Sequence, residues 1–171
     1  MYRSPTHSTS GGRVTDIERG TQLSASHGWP EPVVAHLTAA GWYPGRAVDP
    51  SEWAALLLEH YELRIHDAAI RFLTEFGGLD VPKAGPQGVD VAPAAFTTYP
   101  RRGVLRRETL AALRPQVTGE LYPIGDVSGG NSKLLVDEAS TVYLIFASQL
   151  RRVGVGADAI ANLVLGRRPG S

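Results

Sequence analysis

The residues Gly125-Asp126-Val127-Ser128-Gly129-Gly130-Asn131-Ser132 come close to a phosphate-binding loop of the form G-x-x-x-x-G-K-[ST]. In that loop backbone N–H groups cradle phosphates, and the lysine reaches the β- and γ-groups. Here Asn131 stands at the lysine position, so the required charge is missing. The apolar run Leu134-Leu135-Val136 that follows reads as a strand, leaving no helix N-terminus to receive an anion. The stretch reads as a hairpin loop. Gly154-Val155-Gly156-Ala157-Asp158-Ala159 matches the loose dinucleotide pattern G-x-G-x-x-A. That pattern needs a further strand and an acid about 20 residues on to hold the ribose. Only 12 residues follow Ala159. These glycines read as the lead into a final helix.

Nucleophilic and metal chemistry find equally little to build on. The chain has no cysteine, which excludes disulfides and thiolate sites. Five histidines (His7, His27, His36, His60 and His66) show no zinc-ligand spacing and read as solvated or helix-edge side chains. No G-x-S-x-G elbow activates a serine. The sequence therefore assigns no catalytic residue, no cofactor and no metal ligand. Arg101, Arg102, Arg106, Arg107 and Arg114 form a basic cluster whose guanidinium forks suit phosphates or carboxylates. Tyr99 is the nearest aromatic, too little for a base-stacking platform, and the cluster reads as a solvated basic face.

The elements that would carry these residues follow from periodicity and punctuation. Residues Met1 to Gly28 are rich in Ser, Thr and Gly and poor in apolar side chains. They are expected to be a disordered tail, or else an over-extended gene start. One domain is expected over residues 29–169. Val33, Val34, Leu37 and Ala40 make a helical stripe that Gly41 ends. Asp49-Pro50-Ser51-Glu52 is a helix start, with Asp49 capping and Glu52 reaching back. Trp53, Leu56, Leu57 and Tyr61 form its buried face. A third helix buries Ile65, Ala69, Phe72, Leu73 and Phe76 and exits through Gly77-Gly78 into a strand at Leu79 to Val81. Short strands are expected at Gly88 to Val91 and Phe96 to Tyr99, and a helix at Arg106 to Leu113. Three antiparallel strands follow at Val117 to Ile124, Lys133 to Asp137 and Thr141 to Phe146. A last helix spans Ala157 to Leu165, burying Ile160, Leu163 and Val164, and stops at Gly166. Helices first, strands late and one closing helix predict an α+β fold: N-terminal helices packed with the C-terminal helix on a mainly antiparallel sheet.

Seventeen basic and seventeen acidic residues cancel, so no global charge steers the chain to nucleic acid or a membrane surface. No run of about 18 apolar residues predicts a membrane span, and no apolar stretch near Met1 suggests a secretory signal. A cytoplasmic protein is expected. The balance is uneven along the chain. Residues 30–80 hold eight acids against three arginines, whereas residues 101–171 hold ten bases against six acids.

Taken together, Ala40-Gly41-Trp42-Tyr43-Pro44-Gly45-Arg46, Asp49-Pro50…Trp53, Phe72 to Leu79 (FLTEFGGL), Leu121 to Gly125 (LYPIG) and Leu135 to Tyr143 (LVDEASTVY) resemble the SUKH-3 family of bacterial immunity proteins. That family sits in the SUKH superfamily with Smi1/Knr4-type domains. Ser140 stands where similar sequences usually place Gly, which questions a positive φ at that turn. The resemblance implies a SUKH-like fold and a protein that neutralises a cognate toxin domain, often a nuclease or deaminase, by direct binding. A general protein-interaction module of the Smi1/Knr4 kind, without a toxin partner, is the alternative. The family brings no catalytic residue. Trp42 and Arg46 are expected either to pack or to anchor a partner, with Arg46 pairing a helix acid. Asp49, Glu52, Glu59, Glu62 and Glu75 are expected to face the basic cleft of a toxin that handles nucleic acid.

Overall fold

The computed structural model describes residues 27–85 and 93–168. The expected tail, save His27 and Gly28, and the expected strand at Gly88 to Val91 lie outside these residues. Among the described residues there are helices α1 (Glu31–Ala39), α2 (Ser51–Tyr61), α3 (Asp67–Phe76), α4 (Arg107–Leu113) and α5 (Ala157–Leu165). Strands β1 (Asp80–Val81), β2 (Phe96–Thr97), β3 (Tyr122–Val127), β4 (Ser132–Val136), β5 (Thr141–Phe146) and β6 (Gln149–Val155) form one sheet. Its spatial order is the sequence order, and every neighbouring pair is antiparallel. The expected α+β fold, with early helices and a closing helix on an antiparallel sheet, is what the chain adopts.

Adjacent strand residues point to opposite faces, and here they enter different cores. Leu134, Val136, Val142 and Ile124 face the main core with Val33 and Leu37 of α1, Phe72, Leu73 and Phe76 of α3, and Ile160 and Val164 of α5. Leu135, Ile145 and Leu121 face a smaller cluster closed by Leu113 of α4, with Leu110 packed against it. Each fully buried Leu, Val or Phe contributes about 1.5–3 kcal/mol of transfer free energy, so the main core carries the fold.

Local rules explain most boundaries. Asp49 Oδ1 accepts the Ser51 N–H at 2.9 Å and the Ser51 hydroxyl at 2.5 Å, which holds its carboxyl below the usual range. Among the described residues Glu52 makes no return bond, so the start is an Asp49–Ser51 turn and not a capping box. His66 starts α3: its Nδ1 accepts the Ala69 N–H at 3.2 Å, while Nε2 lies 3.2 Å from the Val136 carbonyl. An acceptor Nδ1 requires the proton on Nε2, so one ring caps the helix and ties it to β4. Ile65, expected inside α3, precedes it and is half-buried. Tyr61, expected in the core, is 40% exposed at the last position of α2. Leu163 is likewise half-buried.

Two strand expectations fail for identifiable reasons. β3 begins at Tyr122, not Val117, because Arg114–Gln116 form a 3-10 turn and Gly119 takes φ 74°. It also runs through Gly125, Asp126 and Val127, residues expected in a loop. β6 carries no strand signal in the sequence. Phe146 pairs with Gln149 across Ala147 and Ser148, at φ 47° and 62°. A two-residue turn with both φ positive favours Asn-Gly, and Ala-Ser hides it from sequence. Ser140, by contrast, keeps the left-handed φ of 65° expected of a glycine.

One buried group is left over. The Tyr122 hydroxyl has no hydrogen-bond partner among the described residues, and burial pushes its pKa up from 10.0 to about 12. A folded-state pKa above the unfolded value gives stability that is complete below pH 10 and is lost as pH rises toward 12. Tyr122→Phe removes an unsatisfied hydroxyl at constant ring volume. It should raise unfolding free energy at pH 7 by about 1 kcal/mol and flatten the loss of stability between pH 10 and 12. Urea melts across that range check both effects; a variant less stable than the parent at pH 7 would contradict the argument.

Candidate functional site

Three of the motifs singled out in the sequence, those holding Arg46, Trp53 and Phe72 to Leu79, converge on the C-terminal end of α3. Arg46 donates from Nη1 to the Glu75 carbonyl at 2.8 Å and from Nη2 to the Gly77 carbonyl at 2.7 Å. A guanidinium there satisfies the last helix carbonyls and complements the negative end of the helix dipole. The acid partner expected for Arg46 is thus replaced by backbone, because the helix end presents carbonyls at the fork's spacing. Trp53 closes over Gly77, where a Cβ would meet its ring at 2.6 Å. Thr98 stitches the exit to the sheet, accepting the Leu79 N–H at 2.8 Å and donating to the Phe76 carbonyl. Trp42 is 1% exposed and packs on Trp29, ring centroids 5.2 Å apart. A side chain so enclosed offers no surface to a partner. Trp42 and Arg46 hold the scaffold.

The remaining predicted residues divide. Glu52 and Glu59 lie seven residues apart on α2, exposed and on one stripe about 10 Å long. Among the described residues neither is paired. Glu62 sits in the left-handed position that ends α2 and forms an ion pair with Arg107. Glu75 is taken by His27 at 2.5 Å, and Asp49 by Ser51. Acidic and basic segments therefore meet: residues 59–62 and 104–107 line a groove of about 580 Å³. Arg114 pairs with Glu120, and Arg102 Nε lies 3.4 Å from Asp126. The two charged halves of the sequence are not two separate faces, since the fold places the helix α2 beside the arginine-bearing loop.

The histidines have structural work. His36 Nε2 lies 2.7 Å from the Pro82 carbonyl, His60 touches the Tyr61 ring edge, and His27 and His66 are placed as above. His7 lies outside the described residues. The almost-P-loop is half strand and half turn. Asp126, 2% exposed, accepts from Thr97 Oγ1 at 2.5 Å, and Lys133 Nζ donates to the Arg102 carbonyl at 2.7 Å. These groups bind one another and pin β2, β3 and the 3-10 turn Pro100–Gly103 together.

Sequence reasoning missed a concavity of about 720 Å³ at the open end of the sheet's helical face. Leu144, Phe146, Val153 and Leu163 supply apolar lining, and Arg151 and Arg167 supply charge. It was invisible because β6 was. Among the described residues no helix is long and apolar enough to cross a membrane.

A six-stranded antiparallel meander with three helices before it, one over its reverse face and one after it defines an α+β scaffold of SUKH-like type. A family model described as SUKH-3 immunity protein matches residues 29–166, and the chain belongs to that family. No curated protein and no solved structure matches it.

Proposed function

We propose that this protein neutralises a cognate toxin domain by direct, stoichiometric binding, with residues 29–169 acting as one unit in the cytoplasm. Membership of the SUKH-3 immunity protein family over residues 29–166 is the observation that carries this reading. The exposed side of α2 supports a contact surface. Leu58 and Tyr61 are solvent-facing apolar anchors, and Glu52 and Glu59, unpaired among the described residues, are acids beside them. An acidic stripe of this kind complements the basic cleft of a toxin that handles nucleic acid and speeds the encounter.

Co-expression with a candidate toxin encoded beside this gene tests the function: growth should be rescued and the two chains should co-purify one to one. Failure of both would overturn the reading. E52K/E59K should lower the association rate about tenfold at low ionic strength, the gap closing as salt screens the charges. An unchanged rate would remove α2 from the contact and leave the immunity function standing.

A further inference from the structure

We propose that the concavity between the β5–β6 hairpin and α5 is a second docking site, built for an acidic protein segment that carries large apolar side chains. Three observations place it there. First, its floor is apolar and unfinished. Leu144 and Val153 pack against the main core, whereas Phe146 on the same face is 57% exposed where the helix layer ends. Second, the charge of its described lining residues has one sign. Arg151 pairs across the hairpin with Leu144, which puts its side chain on this same face. Arg167 follows the Gly166 cap of α5. Neither side chain has a hydrogen-bond or ion-pair partner among the described residues, although Arg102, Arg107 and Arg114 all do. Arginines left uncompensated beside exposed apolar surface match carboxylates flanking Leu or Phe.

Third, the backbone around the site is settled, so the concavity does not come from a loose edge. β6 is the last strand of the sheet. The register of β5 with β6 shifts at Val142/Tyr143, leaving Val153 without a cross-strand partner. Its carbonyl is taken by Asn162 Nδ2 of α5 at 2.8 Å. That bond locks helix and strand into a wall, and Gly154 allows the approach, since a Cβ there would lie 2.9 Å from Ala159 N. An apolar floor of this extent gives nothing to a bare polyanion, which favours a protein segment over nucleic acid. The site shares no residue with α2 and stands or falls independently of the toxin reading.

The test titrates the full chain against three fluorescein-labelled probes by polarisation. They are a peptide alternating Glu with Leu and Phe, a poly-Glu peptide of equal length, and single-stranded oligo-dT. The mixed peptide should bind about tenfold or more tightly than either polyanion. R151E/R167E should weaken it by about tenfold, and Phe146→Ser should weaken it several-fold. R101E/R106E, an equal charge change elsewhere, should leave it unaltered. All altered side chains are exposed, and matching thermal melts show that the fold is retained. Equal binding of oligo-dT or poly-Glu, or insensitivity to R151E/R167E, overturns the proposal. So does an oligomer of the parent chain that R151E/R167E dissolves, because the occupant would then be a second copy.

Discussion

Gly125→Ala should prevent the sheet from forming, and the chain should be recovered unfolded or aggregated. A Cβ at this position would overlap the Thr97 carbonyl oxygen and lie 2.8 Å from its carbon and 3.0 Å from Thr98 Cα. These are backbone atoms of β2 and its extension, held by the β2–β3 pairing, and cannot swing aside as a side chain could. Nor can the strand retreat the other way. Gly103 lies against its opposite side, where a Cβ would meet the Gly125 carbonyl at 2.6 Å and the Leu134 carbonyl at 2.9 Å. Three backbone segments thus stack through two missing side chains. The cost should exceed about 4 kcal/mol, among the largest for a single methyl. Gly85→Ala, at an exposed position where none of the described residues lies within 4 Å, should leave stability unchanged. Far-UV circular dichroism and urea midpoints of the two variants decide the matter; a wild-type midpoint for Gly125→Ala would refute the close approach.

Asp137→Asn should cost about 3 kcal/mol or more, despite differing by one atom. Asp137 is fully buried, and its carboxylate collects four donors. Oδ1 accepts the Ala139 and Thr141 N–H groups at 3.0 and 2.9 Å, and Oδ2 accepts the Thr118 N–H and the Tyr143 hydroxyl, each at 3.1 Å. An amide offers an acceptor to only one pair. The Tyr143 hydroxyl can rotate and accept, but the Thr118 N–H would face another donor. The loss combines a charge-assisted bond, worth about 1.5–3 kcal/mol, with an amide donor of the fully buried residue 137 side chain set against another donor, worth about 1–3 kcal/mol. The same carboxylate holds the β4–β5 turn, where Ser140 sits at positive φ. It therefore supplies the constraint that lets serine replace the expected glycine. Urea unfolding with an unchanged m-value should report the drop; a loss under 1 kcal/mol would mean that the four bonds do not act together.

These two residues show where sequence reading was sufficient and where it failed. Gly125, the first residue of an almost-P-loop, reads locally as part of a loop. Its actual role depends on Thr97 and Gly103, 28 and 22 residues earlier, which no local motif contains. Asp137 drew no functional reading, because a buried acid and an exposed one look alike in a string of letters. The arginine-lined groove was missed for a related reason. Its hairpin turns through Ala147-Ser148, residues with no turn signature, and its lining joins β5, β6 and α5. The acidic residues were found individually, but their partners His27 and Arg107 lie 48 and 45 positions away in the chain from Glu75 and Glu62.

By itself the sequence determined the α+β class, the five described helices to within a residue or two, strands β4 and β5 and the SUKH-3 likeness. These rest on periodicity, caps and short motifs, all local properties that a few neighbouring side chains specify. Tertiary structure alone decided which glycines touch backbone, which charges are neutralised, that Trp42 and Arg46 serve the scaffold, and where the surface is left concave. Those outcomes depend on segments distant in sequence meeting in space, and the free energy of a contact belongs to the pair and not to either residue.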